Sequence, residues 1–406
     1  MVSRHLRDVS GLGKDWPLLR INAQGKTRPF GQLIALHLMG TQVAYPRVEW
    51  LCDGFIDGYF PGIPWFLDDH RPQGFLGRQF ARRWAGELRL SHDIRYWNDD
   101  AVLTAMTRHG GDGPGDFRVG RPVVECHRHD EPWLIASERR AEVYSRLAIA
   151  SNNGDGAGAL LPGEFPKFTT CIRSKNGERR HVIVKYSEPV ATTPAARRWA
   201  DLLVCEHIAS KLLNEKEGVL CPGELIVSDG RICLEVTRFD RIGSRGRRGC
   251  VSLAAWSDAY HGDHDVQRNS WPTAVSRMTA RRWATPETVD AVRKRWWFGR
   301  LIGNTDMHLG NLSFFLDDTR PLTLTPAYDM LPMVYQPGRH GVLPNKTHEP
   351  PLPMPEDREC WEIAAGWAQQ FWARVSVHPC VSGEFRRVAH ANCAAVRRAR
   401  SCTLRK

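Results

Sequence analysis

The sequence predicts an α+β chain of two lobes, with an additional subdomain ahead of them and a second lobe that is mostly helical. Three observations predict it. Two strand-like runs, Phe168 to Ile172 and His181 to Tyr186, flank Asn176-Gly177, the strongest short-range hairpin signal. Two amphipathic helices open on the same punctuation, Thr193-Pro194 and Thr285-Pro286, with Thr as N-cap and Pro at the first helical position. Further on, a polar loop around residues 303–311 leads into a short hairpin and then to Asp329. The boundaries that follow are residues 1–145 for the N-terminal subdomain, 146–240 for the first lobe and 241–406 for the second.

The N-terminal subdomain starts with Leu18-Leu19-Arg20-Ile21 and a turn from Asn22 to Thr27, and it is rich in Gly, Pro and aromatic residues. Trp50, Phe55, Tyr59, Phe60, Trp65 and Phe66 are expected in its core, and Gly110 to Gly115 marks a loop. Cys126, His127 and His129 are metal-capable donors, but no second cluster stands at metal-site spacing, and structural zinc takes four ligands. The same argument applies to His261, Asp263, His264 and Asp265.

In the first lobe, Val182-Ile183-Val184-Lys185 carries a lysine on the second strand of the hairpin. The helix after Thr193-Pro194 has an apolar stripe of Trp199, Leu202, Leu203, Ala209, Leu212 and Leu213, and Gly218 closes it. Glu206 lies on that stripe, three residues after Leu203 and three before Ala209. A carboxylate on a buried face is costly unless paired, and Lys185 is the natural partner. The alternating run Arg231 to Val236 reads as another strand and passes into Thr237-Arg238-Phe239-Asp240-Arg241, the place of a hinge between lobes.

In the second lobe the helix from Thr285-Pro286 runs to about Ile302, with Val289, Val292, Trp296 and Leu301 among its apolar residues. Asp306 and Asn311 follow with D-x-x-x-x-N spacing, then a strand from Leu312 to Leu316, a turn from Asp317 to Pro321, a return strand from Leu322 to Leu324, and Asp329. This spacing has a chemical logic. Phosphoryl transfer needs one carboxylate to orient and deprotonate the attacking hydroxyl, here Asp306. It also needs an amide oxygen and a second carboxylate for magnesium ions that neutralise a triphosphate, here Asn311 and Asp329. Lys185 stands in a context like the V-A-I-K lysine that contacts phosphates, with Glu206 as its partner. Asp and Asn also favour turns, so the loop counts only in combination with these neighbours. Together they predict a two-lobed protein-kinase-like fold that takes ATP and magnesium.

Pro350 to Pro355 is a stiff connector before the last helices, where Trp361, Ile363, Trp367 and Phe371 are expected to pack. Hydrophobic and charged fractions of 42% and 25% are ordinary for a globular chain of 406 residues. No apolar run reaches transmembrane length, and the first 20 residues lack a signal-peptide core. Eleven cysteines without C-x-x-C pairs point to reduced thiols and a cytoplasmic location. A net charge of +11 suits an anionic partner, but its arginines are spread widely and no nucleic-acid motif accompanies them.

The combination G-N-T-D-x-H-x-x-N-x-S at 303–313, Pro326-Ala327-Tyr328-Asp329, the strand lysine and Val236-Thr237-Arg238-Phe239-Asp240-Arg241 resembles the HipA family of serine/threonine kinases, toxins of bacterial toxin–antitoxin systems. Gly163-Glu164-Phe165-Pro166-Lys167-Phe168 is similar to the G-E-Q-P-K-F loop of the YjjJ-like branch. The likeness covers roughly residues 15–390. It implies Asp306 as catalytic base, Asn311 and Asp329 as magnesium ligands, and Lys185 as a phosphate contact. It also implies a phosphate-proximal loop at Gly163 to Lys167, a nucleotide-site role for His308, and Phe239 at the hinge. A protein substrate in the translation machinery and a small DNA-binding antitoxin are the implied partners, with no membrane.

Two departures stand out. Phe165 replaces the usual Gln, and Ala159-Leu160-Leu161-Pro162 replaces a serine- and glycine-rich run, with the glycines lying upstream at Asn153 to Gly158. A catalytically weak or inactive interaction protein is therefore the alternative reading, and a small-molecule phosphotransferase another, since such enzymes share the Asp-to-Asn loop. YjjJ-like proteins often carry a winged helix ahead of the kinase, and the first residues here already look like the N-terminal subdomain.

Overall fold

Alternation at the N-terminus builds a first antiparallel sheet, from β1 (Lys14–Ile21), β2 (Thr27–Ala35), β3 (Thr41–Ala44), β4 (Tyr59–Phe60) and β5 (Phe117–Val119), in the order β4-β3-β2-β1-β5. The computed structural model describes residues 14–36, 39–120, 134–154, 160–262, 270–338 and 341–403. The β1–β2 turn forms because the Asn22 carboxamide accepts from the backbone N–H groups of Gln24 and Lys26 at 3.1 and 2.9 Å. Helices α1 (Trp65–Asp68), α2 (Gly74–Leu88) and α3 (Asp99–His109) lie between β4 and β5.

The expected aromatic core is present, with Phe60, Trp65 and Phe66 no more than 3% exposed, while Tyr59 turns outward at 40%. The core does not belong to the subdomain alone. Trp50 and Trp65 meet Trp283 of the last lobe edge-on, at 5.1 and 5.4 Å between ring centroids. The N-terminal sheet and the C-terminal helices therefore share one apolar interior.

The second sheet comprises β6 (Leu134–Ala136), β7 (Lys167–Arg173), β8 (Arg179–Tyr186), β9 (Gly223–Ser228) and β10 (Arg231–Thr237), ordered β6-β7-β8-β10-β9. All neighbours are antiparallel except β6 and β7. Helix α4 (Arg140–Asn153) covers one face and α5 (Pro194–Glu217) the other. Period two decides what faces which helix. Val182, Val184 and Tyr186 of β8 pack with Tyr144 of α4, so Lys185 projects to the α5 side. Helix α5 has the expected ends: the Thr193 hydroxyl accepts from Ala196 N at 3.0 Å, and Gly218 closes it at φ 65°.

The short pairs β11 (Arg241–Ile242) and β12 (Gly246–Arg247) lead to β13 (Cys250–Ser252), α6 (Leu253–His261), α7 (Trp271–Ala280) and α8 (Pro286–Ile302). The hairpin beyond the polar loop is β14 (Ser313–Phe315) and β15 (Thr323–Leu324), and β13 completes its sheet. Two long helices, α9 (Arg358–Val377) and α10 (Gly383–Thr403), finish the lobe. Trp361 and Phe371 are fully buried in α9 and Trp367 is half-buried, but Ile363 is exposed, because it falls on the solvent side of the turn. Among the described residues no helix is long and apolar enough to cross a membrane.

Candidate active site

The site lies where the second sheet meets the last lobe. Lys185 Nζ bonds Glu206 Oε1 at 2.6 Å and also bonds Asp329 Oδ1. One ammonium thus joins β8, α5 and the segment after β15. Burial pushes the Asp329 carboxyl up, but Lys185 and Lys167 outweigh it and hold the group below the usual carboxylate range. Burial dominates at Glu206, which stays above its ordinary range despite Lys185. The second oxygen of Glu206 is buried without a partner. Behind it opens a cavity of about 770 Å³, lined by Glu206, Leu225, Leu234, Val236, Tyr328 and Asp329 among others.

A second lysine stands beside the first. Lys167 of β7 pairs in register with Lys185 of β8, so two ammonium groups lie opposite one another on one sheet face. Like charges so placed repel. Lys167 Nζ donates to Pro162 O at 2.6 Å, and burial brings the amine down to about 8 against the pull of Asp329. Gly163 adopts φ 101°, and a Cβ there would collide with the Lys167 amine, so only glycine fits. Phe165 of the same loop is half-buried. Its ring packs edge-on against Trp199 of α5 at 5.2 Å.

The polar loop is organised by its amides. Asn311 Nδ2 donates to Asp306 O at 2.8 Å, so its Oδ1 is the atom that could hold a cation. Asn304 bridges the loop to Asp329: its Oδ1 accepts from Asp306 N at 3.0 Å and its Nδ2 donates to Asp329 O at 3.2 Å. Asp329 is held at φ 54°, a left-handed conformation that Asp tolerates better than most side chains. The Asp306 side chain is exposed, with its Oδ1 4.0 Å from His308 Nε2. His308 Nδ1 accepts from Gly310 N at 3.1 Å, so this histidine caps the turn Leu309–Asn311. Tyr328 fastens the same loop through its hydroxyl, which donates to Gly310 O at 2.8 Å.

Phe239 follows β10, its ring 6.0 Å from Tyr328 and 5.9 Å from Phe315. Lys185, Glu206, Lys167, Gly163 and Asp329 thus converge, and Asn304 connects them to Asp306 and Asn311. Sequence reasoning passed over Asn304 and Tyr328, although both stand inside the quoted motifs. It also passed over Asp112, whose contacts with Arg238 and Arg241 no local pattern announces. Cys126, His127, His129, Asp263, His264, Asp265 and Ala159 lie outside the described residues.

Residues 159–396 match the model of the HipA-like C-terminal domain, and residues 12–127 that of the YjjJ-like toxin, middle domain. Toxin YjjJ of Escherichia coli K12 is 36% identical over 384 residues, covering 92% of this chain and 82% of that protein. This chain belongs to the HipA-like family. Protein Y4dM of Sinorhizobium fredii is 31% identical over 276 residues, 66% of this chain and 62% of the other. Among solved structures, the Shewanella oneidensis HipA–HipB–operator DNA complex aligns over 95% of this chain and 97% of its own at a TM-score of 0.53. At 14% identity that likeness speaks for the α+β kinase-like fold alone.

The residues of this HipA-like site fit a magnesium nucleotide. Two buried ammonium groups wait opposite each other beside a glycine cradle, and Asn311 and Asp329 offer hard oxygen donors. Among the described residues no cluster of three or more His, Cys, Asp or Glu could hold a metal ion by itself. Magnesium typically takes one or two protein carboxylates and completes its shell with phosphate oxygens and water, which suits this donor set.

Proposed function

We propose that this HipA-like chain is an ATP- and magnesium-dependent serine/threonine protein kinase. The observation that carries the reading is the single Lys185 ammonium bonded to both Glu206 and Asp329. That contact ties the phosphate lysine to the helix that orients it and to the metal-type carboxylate. Lys185 and Lys167 would hold phosphate oxygens, and Asn311 Oδ1 and Asp329 would hold magnesium. Bound magnesium neutralises charge on the phosphates.

Asp306 is the general base of this reading. Its carboxylate is exposed and so open to a substrate hydroxyl, and its backbone is fixed on both sides by Asn304 and Asn311. The hydroxyl oxygen bonds the γ-phosphorus, the bond from that phosphorus to the bridging oxygen breaks, ADP leaves, and the hydroxyl proton goes to Asp306. A protein hydroxyl in the translation machinery is the proposed acceptor. The Shewanella HipA is found with HipB and operator DNA. By that analogy a small DNA-binding antitoxin is the proposed partner here, and the cytoplasm the proposed location.

The test is incubation of wild type and Asp306→Asn with labelled ATP, magnesium and a host cell lysate. Wild type should label a protein band that the variant labels about 10²–10⁴-fold more slowly, the usual worth of a general base. No transfer, together with no nucleotide-induced thermal shift, would sink the reading and leave an inactive scaffold. Transfer to small alcohols instead of protein would point to a small-molecule phosphotransferase.

A further inference from the structure

We propose that the N-terminal subdomain braces the nucleotide cleft, and that Asp112 is the positioning residue through which it fixes the hinge. The inference rests on the kinase reading above and goes beyond it, since nothing in that reading gives the N-terminal subdomain a part in nucleotide binding.

The hinge is clamped from one side. Asp112 Oδ1 accepts from Arg238 Nη1 and Arg241 Nη2, both at 2.9 Å. Gly113 O accepts from Arg241 Nη2 at 2.7 Å, and Gly115 O from Arg241 Nη1 at 3.1 Å. In return Gly115 N donates to Asp240 Oδ2 at 2.9 Å, and Arg238 closes the ring with bonds to both Asp240 oxygens at 3.0 and 2.9 Å. All four charged side chains are at most 7% exposed. Two guanidinium groups meet two carboxylates here, and the buried Arg118 and Arg247 stand beside them on Gly111 O at 3.0 and 2.6 Å, so losing the Asp112 charge would leave this cluster of cations less compensated.

The consequence falls on Phe239. Its neighbours Arg238, Asp240 and Arg241 are all tied to the loop 112–115, and the Phe239 ring between them packs on Phe315 and on Tyr328, which lines the cavity beside Asp329. A clamp of this kind sets where the hinge backbone sits without touching a nucleotide.

The same subdomain grips the other end of the cleft. The N-terminus of α2 donates Phe75 N to Gly163 O at 3.0 Å, and Arg78 pairs with Glu164 at 2.8 Å. Gly74 has no room for a Cβ against the Gly163 backbone. The phosphate-proximal loop and the hinge thus share one support, which precedes both in the chain.

The experiment compares wild type, Asp112→Asn and Arg78→Ala for binding of magnesium ADP by calorimetry, for transfer rate at saturating ATP, and for melting of the nucleotide-free protein. Asp112→Asn should weaken ADP binding by about tenfold while kcat stays within about threefold, because a shifted hinge misplaces binding groups and leaves Asp306 in place. A lower melting point with ADP affinity unchanged within about twofold would mean that Asp112 only glues the subdomain on, and would overturn the proposal. Arg78 is half-exposed, so Arg78→Ala keeps the fold if Asp112→Asn does not. About threefold weaker ADP binding is expected from it, and unchanged binding would overturn the proposal. Failure of wild type to bind ADP at all is a different result, which removes the kinase reading itself.

Discussion

Glu206→Gln should separate activity from stability, because the Lys185–Glu206 pair is close to energetic balance. At 2.6 Å and an effective dielectric of about 20, the attraction of Lys185 for Glu206 is worth about 6 kcal/mol. Against it stand the desolvation of the buried carboxylate, several kcal/mol for each ion after relaxation, and repulsion from Asp329. The sign is set by burial: desolvation outweighs the pull of Lys185 and holds the Glu206 carboxyl above its ordinary range, so the folded site disfavours its charged form. A neutral isostere should therefore leave stability at pH 7 unchanged or raise it by up to about 2 kcal/mol. Transfer should nevertheless fall about 10²-fold or more, since Lys185 loses the partner that aims it. The pH dependence follows from linkage. With a folded pKa raised above the unfolded one, ionisation of Glu206 costs stability as pH rises from the ordinary carboxyl range through the folded value. Denaturant melts at pH 7 and at pH 4 should accordingly show the wild-type and Gln curves converging in acid. A variant that loses more than about 2 kcal/mol at pH 7, or a gap that widens toward acid, would show the pair to be a stability device instead.

Three further outcomes are expected. Lys167 titrates at about 8, so magnesium ADP affinity measured by calorimetry should fall between pH 7 and pH 9, and Lys167→Met should bind more weakly with a flatter profile. Asp329→Asn should destabilise at pH 7, because a carboxyl held below its ordinary range adds stability that is present above the unfolded pKa and lost as pH falls through the folded one; urea melts from pH 7 down to pH 3 should show the gap to wild type closing in acid. Phe165→Gln, which restores the commoner family residue, should cost about 1–2 kcal/mol by removing the ring contact with Trp199 and its apolar burial, read from the urea midpoint.

What the sequence disclosed depended on whether the signal was local. The caps at Thr193 and Thr285, the Asn176-Gly177 turn and the closing glycine Gly218 are decided within a few residues, and the elements they bound appear where the pattern puts them. The pairing of Lys185 with Glu206 was legible because a carboxylate on an apolar stripe demands a cation. The second partner of Lys185 was not, since Asp329 lies 144 residues further on. Nor was β13, which joins β14 from across three helices and the polar loop. Ile363 was misjudged for a related reason: an apolar residue in an amphipathic helix is assigned by period, and its neighbours Trp361 and Ala364 take the buried face.

The same contrast explains why the N-terminal subdomain looked separable. Its aromatic residues read as a private core, and Gly110 to Gly115 read as a loop with no stated purpose. In the fold Trp50 and Trp65 pack on Trp283, and the loop delivers Asp112 to Arg238 and Arg241 across 126 and 129 residues of sequence. A buried arginine needs a carboxylate to offset its desolvation, so Arg238 and Arg241 could have signalled a missing partner had their burial been foreseeable. Burial is a property of the assembled chain, and V-T-R-F-D-R by itself shows two arginines with one aspartate between them. Asp240 alone cannot balance both. The second carboxylate has to come from elsewhere, and Asp112 of the N-terminal subdomain supplies it, so this segment is neutralised only once distant parts of the chain have come together.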